Sequence, residues 1–225
     1  TVAPQIAQQT KVPVLVIGAF EQGLIPGLSA DIETRAQEGS FIAGALAAKM
    51  TKSGTLGICI SADDENWVKM AGGFAAGAKQ VTPKIKVLMA QIGQAGYADA
   101  AGGKRVTKNL ISGGADIIFG MGDGSTFGMI QAVETATPPK GADKVWFIDV
   151  IGDKRAIDKA VVLLSSVIMD MSVVYEEIIK SYMEGTFGQQ HWIAMNNGAI
   201  YLLDLNRAVA ASIKEELNSI ERKIV

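Results

Sequence analysis

At 225 residues, 48% hydrophobic and 20% charged, the chain has the composition of a globular protein of one large or two modest domains, which excludes a disordered polymer. Its formal net charge of −2, with basic residues scattered rather than clustered, excludes the electrostatic footprint of a nucleic-acid binder. No apolar run reaches the roughly 18 residues of a membrane-spanning helix, and a single cysteine rules out a disulfide framework or a thiolate metal site.

In chain order, residues 2–9 read as the last turns of a helix leading into a strand over residues 12–19, so the chain is expected to begin inside a fold. An irregular or extended stretch carrying Gly23, Pro26 and Gly27 runs on through Ile32. Residues 40–50 form a helix of small residues, with Gly44, Ala47 and Ala48 open to close packing and Ser53-Gly54 ending it. A regular rhythm follows: strands over 55–61, 84–93, 115–122 and 145–152, separated by helices over 65–81, 98–111 and 126–135. Residues 160–169 read as a further buried strand, 172–183 as an amphipathic helix, and 191–197 with 198–204 as a strand pair. Asn206 is the expected N-cap of a closing helix whose apolar face is Val209, Ile213, Leu217, Ile220 and Ile224.

Strands joined by helical crossovers of this length pair in parallel and are covered on both faces. The expected fold is therefore α/β, with a self-contained doubly wound lobe over residues 51–168 inserted between two pieces, 1–50 and 169–225, of a partial first lobe. Two lobes joined by crossing strands imply a hinge and a cleft, with ligand residues just past the strand ends: 63–67, 94–97, 122–126 and 149–152.

The segment ADIIFGMGDGSTFGMIQAVE runs from an apolar strand through a glycine-rich turn into a helix. Gly120, Gly122 and Gly124 are expected to permit positive φ and close backbone approach to a ligand, and Ser125 or Thr126 to cap the helix. The turn lacks the lysine of a phosphate cradle and carries Asp123, which points to a neutral, hydroxyl-rich or amine-bearing ligand. Asp149, at a strand end, is a candidate acceptor for a vicinal diol, with a loop or capping role as the plainer alternative. Tyr97, between a strand and a helix, offers a ring to stack on a base or sugar, or is a surface tyrosine. Trp67 is a second candidate ring and equally a core residue.

Other residues read as structural. Asp63 and Asp64 suit a helix N-terminus rather than a metal site, and Cys59 suits a buried thiol. His191, the only histidine, has no serine or cysteine partner in context, so no triad is expected. Met121, Met169 and Met171 are core filler, or adaptable contacts where they near a cleft. No catalytic group, metal or cofactor is expected.

Several segments resemble a known family in collinear order: QEGSFIAGALAAKMTKSGTLG, GGFAAGAKQVTPKIKV, YADAAGGKR, ISGGADIIFGMGDGSTFGMIQA and VWFIDV. They are similar to the signature segments of the basic membrane protein (BMP) lipoproteins, substrate-binding components of ABC importers whose best understood members bind purine nucleosides. The resemblance implies a type I periplasmic-binding-protein fold of two Rossmann-like lobes, an incomplete N-terminal lobe, and an extracytoplasmic, lipid-anchored protein delivering adenosine, guanosine or a similar nucleoside to ABC permease subunits. It also implies that Tyr97 takes the place of a base-stacking phenylalanine, Asp149 that of the ribose-binding aspartate, and Gly122, Asp123, Gly124 and Ser125 that of a glycine loop at the cleft. Asp123 stands where the family usually has glycine, and Met169 where nucleoside binders carry a ribose-holding lysine. A ligand-sensing regulator of the same fold and a nucleoside-processing enzyme are the alternatives.

Overall fold

A computed structural model describes residues 2–18 and 23–224. Two compact units divide the chain, one formed by Thr1–Ala36 with Met169–Ile200 and a larger one by Gln37–Ile168 with Tyr201–Val225.

The smaller unit opens with helix α1 (Ala3–Thr10), which ends where Lys11 turns left-handed at φ 61°, and strand β1 (Val14–Ile17). The expected strand over residues 12–19 is thus shorter, and its Ala19 lies outside the described residues. Part of the stretch read as irregular is strand β2 (Ser29–Thr34). It is the middle strand of a three-stranded parallel sheet, between β1 and β8 (Gln190–Ile193). Asp31 and Glu33 are buried in β2, and such acids in alternation disguise a strand that apolar residues would announce. Helix α6 (Met171–Met183) completes this unit, capped by the Asp170 carboxylate accepting from Ser172 N at 3.0 Å.

The larger unit holds the doubly wound part. Helix α2 (Gln37–Met50) is followed by β3 (Thr55–Ile60), α3 (Glu65–Val81), β4 (Lys86–Gln91), α4 (Ala100–Ser112), β5 (Ile117–Met121), α5 (Thr126–Glu134), β6 (Trp146–Ile151) and β7 (Leu163–Met169). With β9 (Ile200–Leu202) these strands form one six-stranded sheet in the order β4-β3-β5-β6-β7-β9, parallel from β4 through β7. Every residue of β3 and β5 is buried, so these central strands read as continuous apolar runs, while β4 at the edge is partly exposed. Phe74 of α3 stacks on Phe119 of β5 with centroids 4.5 Å apart, and both rings are fully buried, which stabilises the helix on the sheet by roughly 2–3 kcal/mol per ring.

The expected lobe boundary at residue 50 moves to Ala36/Gln37 because α2 docks on α3. A Cβ placed on Gly77 would come within 1.8 Å of the Phe41 carbonyl oxygen, and one on Gly44 within 1.9 Å of that of Phe74. Only glycine at both positions lets the two backbones meet. The closing helix α7 (Ala211–Glu221) joins the same unit through an ion pair between Lys49 and Glu216. Asn206 does not cap α7. Its Nδ2 donates to Leu163 O at 2.8 Å and its Oδ1 accepts from Ala208 N at 2.9 Å, which pins the connecting loop to β7.

The strands expected as a pair over 191–197 and 198–204 do not pair with each other: β8 joins β2 and β9 lies beside β7. Between them Asn197 accepts from Ala194 N at 3.3 Å and Ala199 N at 3.2 Å, and Gly198 takes φ 78°. This tight Asn-Gly turn has the chemistry of a hairpin, yet it passes the chain from one sheet to the other.

Candidate ligand-binding site

The candidate site is assembled at the carboxyl ends of β3, β5 and β6 and the loop after β4, all in the larger unit. Past β3, Ser61 is fully buried and its Oγ accepts from the Trp67 indole N–H at 3.0 Å. Trp67 is 7% exposed and its polar edge is engaged, so it is a packed core ring rather than an open stacking face. Asp64 is the N-cap of α3: its Oδ1 accepts from Asn66 N at 2.8 Å and Trp67 N at 3.3 Å. Its other oxygen, Oδ2, accepts from the Tyr97 hydroxyl at 2.9 Å. That bond, with some burial and the charges of Asp64, Asp123 and Asp63, pushes the Tyr97 phenol above its ordinary value.

Tyr97 is also held through its backbone, because its carbonyl accepts from Ser125 N at 2.8 Å. The loops after β4 and β5 are thereby one unit. Gly120, Gly122 and Gly124 are not among the positive-φ residues, so the expected left-handed turn is absent. Close packing explains them instead. A Cβ on Gly120 would lie 2.4 Å from the Phe147 ring, one on Gly122 2.0 Å from Ser125 Oγ, and one on Gly124 3.2 Å from Ala98 Cα.

Neither hydroxyl caps α5 as expected. Thr126 turns its hydroxyl back onto the Gly122 carbonyl, and its N–H donates to Asp123 O at 3.3 Å. The N–H groups of Thr126, Gly128 and Met129 are thus used internally. Asp123 is exposed on the loop.

Asp149 of β6 is fully buried. Its Oδ2 lies 3.1 Å from Lys154 Nζ, and the Thr126 Oγ1 lies 3.4 Å from its Oδ1. Burial pushes this carboxyl up from 3.8 to about 7, although the Lys154 ammonium pulls the other way. Next to it, Ile151 adopts φ 73°, a conformation β-branched residues rarely take.

Among the described residues, five buried side-chain polar atoms have no hydrogen-bond partner, and three of them belong here: Asn66 Oδ1, Ser125 Oγ and Asp149 Oδ2. Native interiors rarely leave such atoms unpaired, and of these three only Asp149 Oδ2 has a charged neighbour, the Lys154 ammonium. The other two, Thr107 Oγ1 and His191 Nε2, lie elsewhere. His191 sits in β8 with Nδ1 3.8 Å from Glu177 Oε2, in the smaller unit. Met169 ends β7, half-buried, and is not among the residues gathered here. Cys59 is fully buried, its thiol pushed up to about 12 by burial. Among the described residues no cluster of His, Cys, Asp or Glu could hold a metal, and no helix is long and apolar enough to cross a membrane.

The structure brings together Tyr97, Ser125 and Asp149, three residues expected at strand ends: Ser125 N bonds to the Tyr97 carbonyl, and the adjoining Thr126 hydroxyl lies beside Asp149. Asn66 fell within an inspected stretch but carried no signal of its own. Ser61 and Lys154 were missed, because no spacing rule connects a lysine five residues past a strand-end aspartate to that carboxylate.

A doubly wound parallel sheet with polar side chains gathered past its strand ends defines an α/β protein of the periplasmic-binding-protein kind. Two solved structures share this fold. They are an ABC transporter solute-binding protein from Aeropyrum pernix K1 (TM-score 0.82, 16% identity, 99% of this chain and 71% of that one) and a transcriptional activator of the comK gene from Bacillus halodurans (TM-score 0.79, 17% identity, 99% and 74%). Residues 28–225 match the model of the Bmp family, described as ABC transporter substrate-binding protein PnrA-like, and the chain belongs to that family. A curated relative, the ABC transporter nucleoside-binding protein BmpA of Lactococcus lactis subsp. cremoris, is 28% identical over 159 residues, 67% of this chain and 45% of the relative. The chain spans about half the length of the first curated relatives it matches.

Proposed function

We propose that this protein is the extracytoplasmic, lipid-anchored substrate-binding component of an ABC importer. It takes up a neutral nucleoside-like molecule such as adenosine or guanosine and hands it to the permease subunits, without chemistry of its own. The observation that carries the proposal is that Asn66 Oδ1 past β3 and Ser125 Oγ past β5 are buried without a hydrogen-bond partner, in the same sheet that buries Asp149 of β6 against the Lys154 ammonium. Tyr97, fixed by its hydroxyl and its carbonyl, adds a ring whose orientation is set before a ligand arrives. Exposed Asp123 disfavours a phosphorylated ligand. Family membership and the name of the Lactococcus relative support transport and a nucleoside.

Calorimetry with adenosine, guanosine and inosine tests this reading. Binding heat is expected for at least one of them. Tyr97→Ala is expected to weaken binding by about 1–3 kcal/mol through lost stacking, and Tyr97→Phe by less, since it keeps the ring and loses only the bond to Asp64. Absence of heat with all three nucleosides would sink the ligand assignment.

A further inference from the structure

Asp149 cannot be reached from solvent in this structure, since none of its side-chain surface is exposed, whereas the Lys154 side chain bound to it is 23% exposed. Of this ion pair, only Lys154 has surface that an approaching molecule could touch. We propose that Lys154 is the specificity-determining contact of this site, donating to a hydroxyl or carbonyl oxygen of the ligand, and that Asp149 is a positioning residue that holds the ammonium in place. The inference rests on the binding reading above and deepens it by naming the chemistry recognised: an acceptor oxygen on a neutral polyol.

Three features of the backbone build this arrangement rather than leaving it to a long side chain's wandering. Ile151 at φ 73° and the Gly152 N bond to Val150 O at 2.9 Å fold the chain sharply back at the end of β6. The Gly152 carbonyl accepts from Ser166 Oγ at 2.8 Å, which fastens the turn to β7. Asp153 then ties the next residue, its carboxylate accepting from Arg155 N at 2.9 Å and pairing with the Arg155 guanidinium at 2.6 Å. Between these anchors Lys154 is aimed at Asp149 Oδ2, with the Val150 carbonyl 3.5 Å from its Nζ. A β-branched residue held at positive φ is a conformation that persists where the surrounding structure imposes it, and such positions gather at ligand clamps.

The test uses the full chain and a panel of probes: inosine, 2′-deoxyinosine, 3′-deoxyinosine, ribose and glucose, each titrated by calorimetry into wild type, Lys154→Gln, Lys154→Arg and the charge-free double variant Asp149→Asn/Lys154→Gln. In wild type, removing one ribose hydroxyl is expected to cost about tenfold or more in affinity. In Lys154→Gln the parent nucleoside is expected to bind about tenfold more weakly, with the same deoxy substitution now costing little, because the partner of that oxygen is gone. Lys154→Arg restores part of the discrimination. The double variant leaves no unpaired buried charge, so loss of discrimination there cannot be ascribed to misfolding. Unchanged or tighter nucleoside binding by Lys154→Gln overturns the inference while leaving the nucleoside reading intact. Binding of ribose or glucose but no nucleoside overturns that reading, and the same variants then decide Lys154 with the sugar as probe. Silence from every probe in wild type overturns both.

Discussion

Asp149→Asn is expected to flatten the protein's response to pH. In wild type the carboxyl ionises at about 7 rather than 3.8 because burial strips it of water, and the Lys154 ammonium only partly compensates. A raised acid binds its proton more tightly in the folded chain than in the unfolded one. Its contribution to stability is therefore fully present below about 3.8 and is lost as pH rises through about 7. Moving from pH 8 to pH 5 should stabilise wild type by about 2–3 kcal/mol relative to Asp149→Asn. Ligand affinity should move in the opposite direction. Protonating Asp149 releases the ammonium that we assign to the ligand, so wild-type affinity should fall as pH drops below about 7, by up to roughly tenfold per pH unit, and the Asn variant should show no such slope. Denaturant melts and calorimetry at pH 5, 6, 7 and 8 separate the two trends. Parallel pH curves for the two proteins would mean that the buried carboxylate carries no such burden.

Gly77→Ala is expected to destabilise the larger unit by roughly 3 kcal/mol, an overpacking cost that exceeds the gain of about 1 kcal/mol in helix propensity. The new methyl group would lie 1.8 Å from the Phe41 carbonyl oxygen, which belongs to the backbone of α2 and cannot rotate away as a side chain could. The two helices would have to part, drawing Phe74 from its stack on Phe119. Gly72 sits in the same helix with nothing within 4 Å of an added Cβ. Gly72→Ala should therefore stabilise by about 0.5–1 kcal/mol. Equal and small shifts in the urea midpoints of both variants would show that the α2–α3 contact does not depend on glycine.

These contrasts also show what a sequence can and cannot reveal. Helix α3 is local: the helix expected over 65–81, with Asp63 and Asp64 at its N-terminus, is the observed Glu65–Val81 with Asp64 as cap. Strand β2 is not legible in this way, because Asp31 and Glu33 lie buried in the middle strand of a sheet, and periodicity treats acids as surface. The strand pair expected over 191–197 and 198–204 is not formed, because the chemistry of the Asn197-Gly198 turn fixes only a reversal and not which sheet each arm joins. At the site, the position of Asp149 after an apolar run and of Tyr97 between a strand and a helix were visible. Gly120 at the end of β5 and Gly122 and Gly124 after it do not take the positive φ expected of them. What they accommodate is the Phe147 ring and the Ser125 hydroxyl, neighbours supplied by tertiary packing. Lys154 was invisible for the same cause, since its approach to Asp149 depends on a left-handed Ile151 that nothing in the residue's type announces.

The central claim is that a neutral nucleoside-like ligand binds past the carboxyl ends of β3, β5 and β6. A crystal structure of the protein with its tightest-binding nucleoside tests it most directly. Ligand density is expected against the Tyr97 ring, with the ligand's polar atoms on Asn66, Ser125 and Lys154. Density instead in the cavity of about 470 Å³ lined by Arg155, Asp158, Asn206 and Arg207 would contradict it.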